Sequence, residues 1–92
     1  MNFTIIFYTS LICLNCANYA TTVQRAIQAA GVDNCCEFTQ VDITENPPVT
    51  TRGLQTIPTV IIVDQMSVEQ SRITGYQSVV KIVEWIRYTT EY

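Results

Sequence analysis

The chain has 92 residues, 48% of them apolar, and a formal net charge of -3. That is enough for one hydrophobic core and therefore one domain, residues 1–92, but not for two. Eight acidic residues against five basic ones leave no basic stripe to track a phosphate backbone, so no nucleic acid partner is expected. No apolar run is long enough to span a bilayer, and no positively charged leader follows Met1-Asn2-Phe3; the expectation is a soluble, cytoplasmic monomer with no membrane association.

In chain order, Phe3, Ile5 and Phe7 alternate with Thr4, Ile6 and Tyr8, and the β-branched and aromatic content predicts a strand buried on at least one face. Thr9 and Ser10 end it. From Cys16 onward Tyr19, Ala20, Val23, Ile27 and Ala30 recur at three and four residues, which predicts a helix over roughly 14 to 30 with Gly31 just past its end. Cys36 to Ile43 alternates again and reads as a second strand, stopped by Thr44-Glu45-Asn46 and Pro47-Pro48. The next stretch, Val49 to Leu54, has room for one or two helical turns between Pro48 and Gly53. Thr59 to Val63 is nearly continuous β-branched sequence, as in a central strand covered on both faces. Asp64-Gln65-Met66-Ser67 turns the chain, Val68 to Thr74 returns it as an edge strand, and Ser78 caps a last helix whose apolar face is Val79, Ile82, Val83 and Ile86.

This order needs a parallel βαβ crossover in the first half, whereas the short link between the last two strands permits only an antiparallel hairpin. The expected fold class is α/β: a four-stranded mixed sheet with flanking helices, βαβ then ββα.

Of the four cysteines, Cys13 and Cys16 enclose Leu14-Asn15 at the first strand-to-helix junction. Three readings are open: two ordinary packed thiols, a metal clip, or a reactive pair. Zinc would need all four thiolates because the chain has no histidine, yet adjacent cysteines chelate a tetrahedral ion poorly and Cys35-Cys36 offers no second C-x-x-C. The Cys35-Cys36 pair reads instead as a strand entrance with at least one side chain in the core. At a strand-to-helix junction the Cys13 and Cys16 side chains come within disulfide reach, which favours reversible pairing. The unpaired N–H groups and the positive end of the helix dipole then lower the pKa of the Cys13 thiol. That makes Cys13 the nucleophile and Cys16, further into the helix, the resolving thiol.

"CLNC" after the first strand, "TIPTVIIV" at the third and "ITGYQS" after the fourth resemble the thioredoxin and glutaredoxin superfamily over nearly the whole chain. The resemblance implies a thioredoxin-like fold and a dithiol-disulfide oxidoreductase that needs no bound cofactor, with glutathione a possible co-substrate. It makes Pro58 a cis proline facing the cysteine pair and gives the backbone of Ile57 to an incoming extended substrate. Gly75 is the family's glycine at the end of the fourth strand, and Leu14, Tyr8, Ile57 and Tyr76 supply the apolar surface on which a substrate docks. The partners it implies are protein disulfides, with a thioredoxin-reductase-type enzyme or glutathione as reductant.

The chain departs from thioredoxins at Ile12, where they carry tryptophan, and at Phe7, where they carry a buried carboxylate. Asp42 is the acid that could take over that proton, although a solvated acid at a strand end is the better reading of it. "VDI" at 41–43, "TIP" and "GYQS" look like glutathione-binding segments, which would use Arg52 for one carboxylate and Gln77 and Ser78 for the other. The span from Pro58 to Gly75 is thioredoxin-like. Leu14-Asn15, in place of the proline usual inside the motif, leaves the redox potential open.

Overall fold

Alternation along the first strand separates two apolar sets. In the computed structural model, which describes residues 2–44 and 56–90, Phe3–Thr9 forms β1. Its Phe3, Ile5 and Phe7 face one core cluster, whereas Tyr8 faces another with Ile61 and Val63. The remaining elements are α1 (Cys16–Ala30), β2 (Cys36–Asp42), β3 (Thr59–Asp64), β4 (Glu69–Thr74) and α2 (Val79–Thr90). The expected short helix at Val49 to Leu54, and with it Arg52, lies outside the described residues.

The sheet order is β2-β1-β3-β4. β1 and β2 are parallel, as the α1 crossover requires, and β3 lies antiparallel to both β1 and β4. The continuous β-branched sequence of β3 is explained by its central place, where five of six residues are buried. At the strand's end Asp64 builds the hairpin turn, its carboxylate accepting the N–H groups of Met66 and Val68 at 2.8 and 3.0 Å. The fourth strand starts at Glu69 rather than Val68, because Val68 is spent on that turn.

The main core lies between the sheet and both helices. Val23, Ala26 and Ile27 of α1 and Ile82 and Ile86 of α2 meet Ile5, Phe7, Val60 and Ile62. Each large aliphatic side chain removed from water here contributes roughly 1.5–3 kcal/mol. Gly31 stops α1 in the left-handed conformation at φ 75°, and its N–H donates to the carbonyl of Gln28. Trp85 Nε1 donates to Ser71 Oγ at 2.8 Å and so ties α2 to the edge strand. At the start of α2, Ser78 Oγ accepts the Lys81 N–H at 3.2 Å, the cap that its position predicts. Among the described residues no helix is long and apolar enough to cross a membrane.

Candidate redox site

The end of β1 delivers the chain to the start of α1 through Ser10 to Asn15. The Cys13 N–H donates to the Ser10 carbonyl at 3.1 Å, a turn that brings the first cysteine back beside the helix. Asn15 holds the N-cap position without a capping side-chain hydrogen bond. Cys16 is the first residue of α1, which begins two residues later than the expected start near 14, because the turn at Ser10 to Cys13 uses the residues before it.

Cys13 and Cys16 form a disulfide with 5.5 Å between their Cα atoms. The two sulfurs are unequally placed: Cys16 is 2% exposed and sits in the core cluster, whereas Cys13 is half-buried on the wall of a groove of about 490 Å³. The Cys16 N–H donates to the Cys13 carbonyl at 3.4 Å, and the positive end of the α1 dipole favours negative charge at this position. A nucleophile needs that combination of access and electrostatics; a resolving thiol needs only to reach it.

The groove collects Ile12 and Leu14 from the loop, Ile43 and Thr44 beyond β2, Ile57 before the proline, and Tyr76 after β4. Its far wall follows from the parallel register, which pairs Thr9 with Asp42 and lets the Ile43 N–H donate to the Thr9 carbonyl at 2.9 Å. Ile43 closes the "VDI" segment singled out in the sequence, whereas Thr44 was not legible as a site residue, since only the pairing of β1 with β2 brings it there. Ile12 at 85% and Leu14 at 93% exposure hold large apolar side chains in water on one rim of the groove, an exposed apolar surface. Tyr8 does not join that surface: it is 1% exposed and packs under the opposite face of the sheet. Period-two alternation cannot tell a second buried face from a solvated one.

The Ile57-Pro58 peptide is cis and Pro58 is buried. Gly75, at φ 75°, donates its N–H to the Pro58 carbonyl at 2.8 Å, which pins the end of β4 to the proline loop. Open space surrounds the position of an added Cβ at Gly75, so it is the positive φ that favours glycine there. Thr59, fully buried, satisfies its hydroxyl by donating to the Thr56 carbonyl at 2.8 Å. Tyr76 follows Gly75 and places its hydroxyl 3.4 Å from Cys13 Sγ.

Phe7, the position at which the resemblance expects a buried acid, is instead fully buried in the core cluster that also holds Cys16, edge-on to Tyr19 at 5.9 Å and stacked on Phe38 at 6.4 Å. Asp42 is partly exposed at the end of β2 and accepts the Thr44 N–H and hydroxyl. Of the residues nominated for glutathione, Arg52 lies outside the described residues and the Ser78 hydroxyl is engaged in capping α2.

Cys35 and Cys36 stand at the other end of the sheet. Cys36 opens β2 opposite Phe3, so the length of β1, about 20 Å at 3.3 Å per residue, separates it from the Cys13 loop. No four-thiolate zinc site is assembled, and the described residues hold no cluster of three metal-ligating side chains. Burial, and then the neighbouring Cys35, push the Cys36 thiol up to about 12. At neutral pH it stays protonated and packs as a small hydrophobe.

A scan of the sequence against protein-family models finds no match, and a search of curated proteins finds none either. Solved structures do match. The chain is similar to thioredoxin-2 of the malaria parasite, with a TM-score of 0.76, 15% identity, and 95% of this chain covering 82% of that one. Chloroplastic thioredoxin z matches with a TM-score of 0.75 at 19% identity over 99% of this chain and 80% of the other. The Drosophila germline thioredoxin Deadhead matches at 0.77 and 14%, over 95% and 80%. The fold is therefore thioredoxin-like, as the sequence motifs implied. At such identities the likeness establishes the fold, and the chemistry has to be argued from the residues.

Proposed function

We propose that the chain is a dithiol-disulfide oxidoreductase acting on protein disulfides through Cys13 and Cys16. The observation that carries this reading is the disulfide at the start of α1, with one sulfur open to an apolar groove and the other buried behind it. In the reduced protein the Cys13 thiolate attacks one sulfur of a substrate disulfide. A Cys13–substrate S–S bond forms, the substrate S–S bond breaks, and its electron pair leaves on the second substrate sulfur, which takes up a proton. Cys16, deprotonated by solvent in the absence of a buried acid at Phe7, then attacks Cys13 Sγ and expels the first substrate sulfur as thiolate. The substrate gains two electrons, and the protein is left as the disulfide seen in the structure.

The groove supports a protein or peptide substrate over a small charged thiol. Its described walls are apolar or neutral, and extended backbone has Ile57 beside Pro58 to pair with. Burying a side chain such as Leu14 against a partner contributes about 1.5–3 kcal/mol, whereas no described wall residue offers a cation to a glutathione carboxylate.

The experiment is turnover of a protein disulfide with two reductants on one preparation: a thioredoxin reductase with its nicotinamide cofactor, and glutathione with its reductase. The expected outcome is turnover with the first in excess of the second. Turnover only with glutathione supports the glutaredoxin alternative, and turnover with neither supports a binding module that kept the fold without the activity.

A further inference from the structure

The aromatic residue behind Gly75 is held against the reacting sulfur more tightly than a docking surface requires. Tyr76 Oη lies 3.4 Å from Cys13 Sγ, although 63 residues separate them in sequence. Its ring is fixed edge-on to Tyr19, with centroids 5.3 Å apart and planes at 69°. Tyr19 is itself edge-on to Phe7, and its hydroxyl accepts the N–H of Gln77, the next residue after Tyr76, at 3.1 Å. On the other side the Gly75 N–H is anchored on the Pro58 carbonyl. The hydroxyl is thus positioned by α1 and by the proline loop at once.

We propose that Tyr76 is a catalytic residue whose phenolic O–H donates a hydrogen bond to the Cys13 thiolate of the reduced protein; this rests on the oxidoreductase reading of the site. Hydrogen bonding to the charged form favours that form, so the donor raises the fraction of thiolate at neutral pH. The phenolic proton stays on oxygen throughout. As the thiolate attacks, its charge passes to the leaving sulfur of the substrate and the hydrogen bond weakens, so each thiolate is intrinsically less nucleophilic than a free one. The two effects oppose each other, and the pH decides which wins. Below the titration midpoint the gain in thiolate dominates; above it, where all molecules are ionised, the lowered nucleophilicity remains.

No other titratable side chain among the described groove residues competes for this role. The loop offers Ile12 and Asn15, the end of β2 offers Ile43 and Thr44, and the proline loop offers Ile57. Asp42 of β2 directs its carboxylate to Thr44, and Tyr19 of α1, whose hydroxyl oxygen accepts the Gln77 N–H, does not line the groove.

Tyr76→Phe keeps the ring and removes the donor, and Tyr76 is exposed enough for the change to leave the fold intact. The test is the pH profile of Cys13 alkylation by iodoacetamide in the reduced protein, with peptide mapping to separate it from the other three cysteines. The expected variant profile is shifted to higher pH, with rates lowered on the order of three- to tenfold below the midpoint. Its high-pH plateau equals or exceeds that of the parent. Superimposed profiles would overturn the proposal, as would a uniformly scaled profile with an unchanged midpoint, which reports access alone. Alkylation needs no turnover, so a failed oxidoreductase assay and a failed Tyr76 role are read separately.

Discussion

Cys13→Ser is expected to abolish disulfide reduction and Cys16→Ser to arrest it halfway. The serine hydroxyl is not ionised at neutral pH and cannot open an S–S bond, so the first variant falls by at least on the order of a thousandfold, to the rate of the reductant alone. Its fold should survive, because Cys13 is half-buried on a groove wall and serine is nearly isosteric. Under reducing conditions, where the parent has no Cys13–Cys16 bond either, urea unfolding of the two should differ by less than about 1 kcal/mol. Cys16→Ser keeps the nucleophile but lacks the thiol that resolves the intermediate. Incubated with an oxidised protein substrate, it should accumulate a mixed disulfide through Cys13, visible as a mass increment that dithiothreitol removes. Retained turnover in Cys13→Ser contradicts the assignment of the nucleophile, and a mixed disulfide mapped to Cys35 or Cys36 would move the chemistry to the other pair.

The second large effect concerns stability. Phe7 is fully buried in the core cluster that holds Cys16, edge-on to Tyr19 and stacked on Phe38. Phe7→Ala should cost about 3–5 kcal/mol, the sum of lost transfer free energy and the cavity left between β1 and α1. A single small domain is stabilised by only about 5–15 kcal/mol, so the variant sits close to the limit of folding. The measurement is a urea melt of both proteins, where a lower midpoint with an unchanged slope reports lost stability rather than a changed denatured state. A loss under about 1 kcal/mol would mean that the aromatic set Phe7, Tyr19 and Phe38 is not the support of the site described above. Because Tyr19 also carries Tyr76, loosening Phe7 should disturb the reactive sulfur as well as the core.

The order of elements was legible because each carries its own period: two along β1 and β2, three to four along α1 and α2, and an unbroken apolar run in β3. Cys13, Cys16, Pro58 and Gly75 were legible as motif positions, and the structure brings Cys13, Leu14, Ile57 and Tyr76 to one groove. What the sequence concealed depends on pairing between distant segments. Thr44 enters the site only through the register that sets Thr9 against Asp42, and the same register carries Ile43 of "VDI" to the cysteine loop. Tyr76 could be named as part of an apolar surface, but its hydroxyl's approach to Cys13 needs the Gly75 turn and the ring of Tyr19 together. Tyr8 was misplaced because its neighbours along β1 fix only that it faces away from Phe7, and both faces of the sheet proved to be buried there.

The physical logic of the site rests on an asymmetry that Leu14-Asn15 and the start of α1 create: one sulfur faces a potential partner while the other waits behind it. A disulfide serving only as a staple would gain nothing from an exposed sulfur in an apolar groove, since a loop so short adds little to the entropy removed from the unfolded chain.

The most direct test is therefore a redox titration of the Cys13–Cys16 pair against glutathione buffers of graded ratio, extended to lower potential with dithiothreitol buffers and read by the mass of the alkylated protein. The expected result is a reversible two-electron transition at Cys13 and Cys16 with a potential within the range of about -270 to -120 mV spanned by carrier dithiols. A pair that stays oxidised below about -300 mV, as structural disulfides do, would contradict it.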